Sequence, residues 1–462
     1  MTQLLTQESV DAFLSEHPDV ETVDVLLPDT NGIFRGKRLQ MSALSKLTKE
    51  GMRMPGSTYL LDIEGQNCLT TPYGSTDGDP DLAVFGVDET LSLIPWAERP
   101  SAQIMGTMLN DDGAPFFGDP RQVLLYAMKP LTDMGLTPVI AIELEFYLLD
   151  PKMGRDGMPR TAIAPDLRQR PKTVQVYSMD DLGDFDAVLT EIERSCEIQG
   201  VMADVTTSEF APGQFEINLN HVADAAAACD QAVLFKRVVK SVARKHRMIA
   251  SFMAKPFPEQ AGNGMHVHVS LVDKEGRNIF SSEAVDPETG LNMDASLKHA
   301  IAGLRQTMAD GMAIYAPNAN SYRRFRTDSY APVNRAWGVN NRSVALRIPH
   351  SDAAAVRVEH RAAGADANPY LVTAAILAGI HHGISERLDP GPMEKGNAYD
   401  RPQGGLPTRW EPALLKFQGS DVMRRYLGET YHETYLGIRR WEADQYHDVI
   451  PPRDYELYMR SV

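Results

Sequence analysis

Four short stretches of this chain place ionisable or strongly polar side chains two residues apart, the spacing that sets them on one face of a β-strand. Glu143 and Glu145 alternate with Ile142, Leu144 and Phe146, and Glu216 and Asn218 alternate with Phe215, Ile217 and Leu219. His266 and His268 lie opposite Met265, Val267 and Val269, while Arg357, Glu359 and Arg361 lie opposite Val356 and Val358. A fifth stretch, residues 343–348, adds Arg347. Any one of them fits an ordinary half-buried sheet, with apolar side chains against helices and polar ones in water. Together they hold glutamates, histidines and arginines with very few lysines or serines, and that composition favours a cavity. Glutamate oxygens and a histidine nitrogen can hold divalent metals, and arginine forks bind phosphoryl or carboxylate oxygens. Clustered carboxylates repel one another, so cations are their natural partners. The mixture suits phosphoryl transfer better than glycoside hydrolysis, where two carboxylates suffice. Spacing leaves open whether the strands converge.

The elements that must position these groups follow from the pattern. Residues 20–27 alternate as a strand, Pro28-Asp29-Thr30-Asn31-Gly32 forms a turn, and residues 33–39 return as a second strand. After a Gly/Pro/Asp-rich passage over 71–81, residues 92–96 and 102–109 supply further strands. A small, mostly β domain over residues 1–115 is expected, followed by a larger one over 116–462. Residues 120–134 open the larger domain as a helix with proline near its start. Helical periodicity recurs over 182–198, 223–245, 294–315, 369–382 and 421–446, with basic residues closing the 223–245 segment where they suit the helix dipole. Residues 151–169 form a polar excursion without periodicity, and there is no internal repeat.

The chain has 462 residues, 43% of them hydrophobic, enough for one large core or two unequal domains. A net charge of -16 without a cationic stripe argues against a nucleic-acid surface. No apolar run is long enough to span a membrane and residues 1–7 carry no export signal, so a cytoplasmic location is expected. Cys68, Cys196 and Cys229 are scattered and odd in number, which reads as ordinary thiols.

Four ordered motifs resemble the glutamine synthetase superfamily: Glu143-Leu144-Glu145-Phe146; Glu209 through Pro212-Gly213-Gln214-Phe215-Glu216; Gly262-Asn263-Gly264-Met265-His266-Val267-His268; and Asn341-Arg342-Ser343 followed by Arg347-Ile348-Pro349 and Arg357-Val358-Glu359. Residues 213–219, 321–325 and 364–371 are most similar to its gamma-glutamylputrescine and gamma-glutamylpolyamine branch. The resemblance implies an α+β fold, with a small N-terminal β-grasp domain and a catalytic domain whose curved antiparallel sheet lines a funnel. It also implies a homo-oligomer, a dodecamer of two hexameric rings in which a neighbour's N-terminal domain completes each site. By motif position, Glu145, Glu209 and Glu216 should hold one metal, and Glu143, His266 and Glu359 a second that bridges nucleotide phosphates. His268 should lie near those phosphates without ligating metal. Arg324, Arg342 and Arg361 should contact the glutamate carboxylate or the moving phosphoryl group, Arg347 and Arg357 the nucleotide phosphates, and Gly262 the glutamate pocket. Ala261 stands where glutamine synthetases usually carry asparagine.

The implied reaction is ATP-dependent ligation of the glutamate γ-carboxylate to a primary amine or polyamine such as putrescine. It would pass through gamma-glutamyl phosphate, with Mg²⁺ (or Mn²⁺) as cofactor and ADP and phosphate as products. A flap over residues 326–333 would exclude water. The family's usual flap glutamate is replaced by Tyr330 before Ala331-Pro332, and its ammonium-site element by Pro55-Gly56-Ser57-Thr58-Tyr59 with Asp62 nearby. Both departures favour a bulkier acceptor than ammonium, with Tyr330 part of its wall. The alternatives are a true glutamine synthetase using ammonium, or a non-catalytic nitrogen-sensing or scaffold protein. Tyr399, in Asn397-Ala398-Tyr399-Asp400, resembles the segment adenylylated in some bacterial members, against its reading as a surface or interface tyrosine.

Overall fold

The computed structural model describes residues 3–155, 157–400 and 405–462. The chain adopts the expected α+β architecture, with two sheets. The first is built from β1 (Thr22–Pro28), β2 (Phe34–Gln40), β3 (Met52–Pro55), β4 (Asp81–Gly86), β5 (Ser92–Leu93) and β6 (Ser101–Leu109). Its order is β2-β1-β6-β4-β3 with β5 also on β6; β1 and β6 run parallel and the other pairs antiparallel. Helix Pro120–Asp133 then opens the larger region, where Asp119 caps the first turn and Pro120 occupies a position that needs no N–H.

The second sheet contains β7 (Thr137–Leu149), β8 (Ala203–Ser208), β9 (Gln214–Leu219), β10 (Ile249–Ser251), β11 (Met265–Val272), β12 (Trp337–Val339), β13 (Leu346–Ile348) and β14 (Val358–His360). Its order is β12-β13-β14-β11-β7-β9-β8, with β10 on the end of β7. The alternation on β7 sorts as its sequence dictates. Ile142, Leu144 and Phe146 are buried against helix Ala225–Lys245 and its neighbours, with the Phe146 ring 5.6 Å from Phe252 and 6.3 Å from Phe235. Glu143 and Glu145 take the opposite face.

Behind the sheet, helices Ala295–Tyr315 and Pro369–Glu386 approach closely through glycines. A Cβ on Gly303 would lie 2.1 Å from the Gly379 carbonyl oxygen, a contact no side chain allows. The single helix expected over 421–446 is two, Asp421–Leu427 and Glu429–Asp448, because Gly428 adopts φ 85° and ψ 138° and breaks the hydrogen-bond ladder. The second of these helices reaches back to the first sheet's domain. Trp441 Nε1 donates to Asp62, the Ile63 N–H donates to Glu442, and Thr70 donates to the Gly437 carbonyl.

A buried ion pair also forms where helices meet. Arg121 donates to both oxygens of Asp230 at 3.0–3.2 Å, and Tyr370 donates to the same carboxylate at 2.5 Å. Asp230→Ala leaves Arg121 buried without that counter-charge, so urea unfolding should show a loss of about 3–5 kcal/mol. A loss within about 1 kcal/mol would show that water reaches Arg121.

Candidate functional site

Pairing register assembles the charged faces into rows across the second sheet. Arg347 on β13 lies opposite Glu359 on β14, which lies opposite His268 on β11. In the next row His266 pairs with Glu143 on β7, which pairs with Asn218 on β9; beyond it Glu145 pairs with Glu216, and Glu216 with Thr207 on β8. Cross-strand neighbours are about 4.5–5.5 Å apart at Cβ, so these groups share one surface. The convergence that spacing leaves open is therefore produced by antiparallel pairing.

Contacts within the rows are short. Glu143 lies 3.2 Å from His266 Nδ1 and 2.9 Å from His268 Nε2. Glu359, 1% exposed, accepts from Arg347 at 2.8 Å and from Arg361. Two sets of ligand atoms lie within 4.8 Å of one another: Glu143, His268 and Glu359; and Glu143, Glu216 and His266. Glu145 accepts from the Gly264 N–H at 2.7 Å. Glu209 follows the end of β8, its N–H bonded to the Gln214 carbonyl.

Electrostatics separates these carboxyls by what surrounds them. Burial, reinforced by Glu143, Glu145 and Glu209, pushes the Glu216 carboxyl up to about 10. Burial and the Glu145 charge raise Glu209 to about 7. At Glu359 burial is outweighed by charges, Arg361 foremost, which hold it near 2. At Glu143 burial is outweighed by hydrogen bonds from His266 and His268, which hold it well below the usual carboxylate range.

The histidines differ in what they can do. Arg357 Nε–H donates to His268 Nδ1 at 3.2 Å, which leaves the ring proton on Nε2 for Glu143. A neutral imidazole has one lone pair, so His268 cannot accept from Arg357 and ligate a cation through Nε2 at the same time.

Arg324 sits in the short turn Ser321–Arg324, 5% exposed, and donates to the Ala362 carbonyl. Gly262 makes room for it: a Cβ there would lie 2.7 Å from Arg324 Cγ and 2.6 Å from the Ala254 carbonyl oxygen. Arg342 occupies a more open position, donates to the Tyr177 hydroxyl at 2.7 Å, and is within electrostatic reach of Glu359 and Glu209. Tyr330 is 62% exposed, with φ 56°. Behind it, the Tyr399 hydroxyl donates to the Ala331 carbonyl of the same flap, and burial pushes that phenol up to about 12. Tyr399 is thus half-buried against residues 326–333.

Three residues near these groups have no role in the sequence reading. Gln214 donates to the Gly262 carbonyl and to Asn263 Oδ1 at 3.1 and 3.0 Å; its position two residues before Glu216 is the signal that marks it. Asn263 is fully buried and ties the 262–264 loop to the Ser251 and Met253 carbonyls. Tyr177, the partner of Arg342, lies outside any periodic segment and carries no such signal.

Known proteins share this arrangement along the whole chain. The family described as glutamine synthetase, catalytic domain, matches residues 117–458. The gamma-glutamylputrescine synthetase PuuA of Escherichia coli (strain K12) is 42% identical over 99% of this chain and 95% of its own length. A glutamate–isopropylamine ligase from Pseudomonas sp is 32% identical over 94% and 93% of the two chains. A solved GmaS/ADP complex superposes with a TM-score of 0.84 at 26% identity, covering 99% of this chain and all of the other. The chain belongs to the glutamine synthetase family.

Proposed function

We propose that this chain is a ligase that uses ATP to join the glutamate γ-carboxylate to a primary amine or polyamine. One observation carries the reading: four sheet glutamates, two histidines and several arginines share one desolvated face, beside a flap that presents tyrosine instead of glutamate. Membership in a family with gamma-glutamylputrescine synthetase and glutamate–isopropylamine ligase among its relatives supports it.

The donor set fits divalent cations. Burial, reinforced by their neighbours' negative charge, drives Glu216 and Glu209 toward protonation, a cost that a bound cation would offset. We assign Glu145, Glu209 and Glu216 to one ion and Glu143, His266 and Glu359 to the other. His268 is left to orient Arg357 toward the phosphates, since its one lone pair is already used. Bound Mg²⁺ would neutralise phosphate and carboxylate oxygens and stabilise charge as the γ-phosphoryl group moves; Mn²⁺ has overlapping ligand preferences.

The protein's own groups do the rest. Arg347 and Arg357 hold the nucleotide phosphates, while Arg324, Arg342 and Arg361 hold glutamate and the group in transfer. The glutamate γ-oxygen attacks the γ-phosphorus of ATP and ADP leaves, giving gamma-glutamyl phosphate. The neutral amine then adds to the acyl carbon, phosphate departs with the former carboxylate oxygen, and the nitrogen gives up one proton to solvent or to the departing phosphate. Gly262 lets backbone approach glutamate, and the 326–333 flap keeps water from the acyl phosphate.

The acceptor end fits an organic amine. Ser57 donates to Asp79, Tyr59 to the Gly106 carbonyl, and Asp62 accepts from Trp441 and two backbone N–H groups, so these side chains are engaged in holding their own loops. Tyr330 instead offers an aromatic surface to an alkyl chain or ammonium group. The assembly we assign is twelve subunits in two rings, cytoplasmic, with neighbouring first domains closing each site. Among the described residues no helix is long and apolar enough to cross a membrane.

With ATP, Mg²⁺ and glutamate, phosphate release should be faster with putrescine or another primary amine than with equal ammonium, and mass detection should find the gamma-glutamylamide; ammonium preference would mark a glutamine synthetase. Native mass spectrometry should find twelve chains of 51.1 kDa each, and a smaller stable assembly would refute the two-ring arrangement. The raised carboxyl pKa values also fix a pH sign. In chelator-treated protein the fold binds more protons at Glu216 and Glu209 than the unfolded chain does, so stability falls as pH climbs from the ordinary 4.5 toward 10. Mn²⁺ titration at pH 7, by calorimetry in buffers of different ionisation enthalpy, should therefore release roughly one to two protons per subunit. Zero release would show that these carboxyls are already ionised.

A further inference from the structure

Arg324 is a buried cation whose nearest carboxylate already has other work. Glu145 is the foremost charge favouring its ionised form, yet one Glu145 oxygen accepts from Gly264 and the same side chain is assigned to a metal. A buried guanidinium left without a dedicated counter-charge costs several kcal/mol. Asp366 is the second acidic group that favours the charged form of Arg324.

The Asp366 carboxylate is divided between two tasks. Its Oδ2 accepts from Ser321 Oγ at 2.7 Å and from Asn318 Nδ2 at 2.8 Å, fastening the turn that ends in Arg324. Its Oδ1 is buried with no hydrogen-bond partner among the described residues. That oxygen and the arginine border the same space: a Cβ on Gly364 would lie 2.3 Å from Asp366 Oδ1 and 3.5 Å from Arg324 Nη1. Lys236 also senses Asp366, but its ammonium donates to the Ala367 carbonyl at 3.0 Å and lies over the Phe252 ring.

Glycines open the slot on the other side as well. A Cβ on Gly264 would lie 3.2 Å from Arg324 Nη2 and 3.4 Å from Glu145 Oε1. The guanidinium therefore shares the space beside Gly364 with Asp366 and the space beside Gly264 with Glu145, and both carboxylates favour its charged form. One carboxylate thus fastens the backbone turn that carries Arg324 and places negative charge beside its fork.

We propose that Asp366 is a positioning residue that holds Arg324 in register for the glutamate carboxylate, an inference resting on the assignment of Arg324 to glutamate. Asp366→Asn keeps the shape but removes the charge. It should raise KM for glutamate about tenfold while KM for ATP and kcat change less than about twofold, and Arg324→Gln should raise the glutamate KM at least as much. In the Arg324→Gln background, adding Asp366→Asn should change the glutamate KM less than about twofold, because the group it positions is gone. A purely structural role predicts instead that ATP and glutamate constants worsen together and that the two effects multiply. If Arg324→Gln raises the glutamate KM and Asp366→Asn does not, the role of Asp366 is overturned and the assignment of Arg324 stands. If Arg324→Gln leaves the glutamate KM unchanged, the assignment itself fails. Should Asp366→Asn fail to assemble, Ser321→Ala, which removes one of the two bonds to Oδ2, decides the matter. About a threefold rise in glutamate KM alone is expected, and an unchanged value would overturn the proposal.

Discussion

Repulsion among carboxylates is the constraint that organises this protein. Glu143, Glu145, Glu209, Glu216 and Glu359 are held together in surroundings that water penetrates poorly, and Glu216 responds by holding its proton far above the ordinary carboxylate range. Such a cluster survives folding because rigid strands supply the positions and because cations answer the charge. Arg347 and Arg361 answer it permanently at Glu359. At Glu145, Glu209 and Glu216 no arginine comes as close, which is where a removable cation has the most to gain.

The two halves of the charged surface therefore differ in kind. Around Glu359 the carboxylate is kept ionised by the Arg347 and Arg361 ion pairs, which fix both guanidinium groups against the sheet. Around Glu216 burial and neighbouring carboxylates favour the protonated form despite the Arg361 charge, so a bound cation would change that side most. His266 and His268 lie at the boundary, both against Glu143, yet only His268 is committed to an arginine. A two-residue step along one strand thus separates a nitrogen available to a cation from one engaged in holding a guanidinium.

Much of this was legible in residue order. Alternation on the strands at 142–148, 215–219 and 265–269 reveals which side chains share a face, because β geometry allows only two faces. Long helices at 223–245 and 294–315 were legible from periodicity, and capping aspartates at Asp224 and Asp294 sit where the helices begin. Pairing register was not legible: it depends on partners far apart in the chain, and only the family resemblance implied that the strands meet. Nor does local pattern show the Arg342–Tyr177 contact, the space Gly364 opens beside Arg324, or Tyr399 bonded beneath the flap. Each is a tertiary meeting between irregular segments, where no period exists to read. Gly428 is the converse case, a helix breaker visible in the sequence whose effect is hidden by strong helical patterns on both sides.

The strap that helix Glu429–Asp448 lays across the first domain has a consequence for biosynthesis. Asp62 and Trp441 are 379 residues apart, as are Ile63 and Glu442, and Thr70 meets Gly437 across 367. While the ribosome is still translating, the loop at 62–70 has none of these partners, so the first sheet's region emerges with an unfinished edge that stays open until residues 437–442 are made. Maturation accordingly includes a late closure of residues 437–442 onto the 62–70 loop, and a nascent chain stalled before residue 437 would expose that edge to chaperones and proteases.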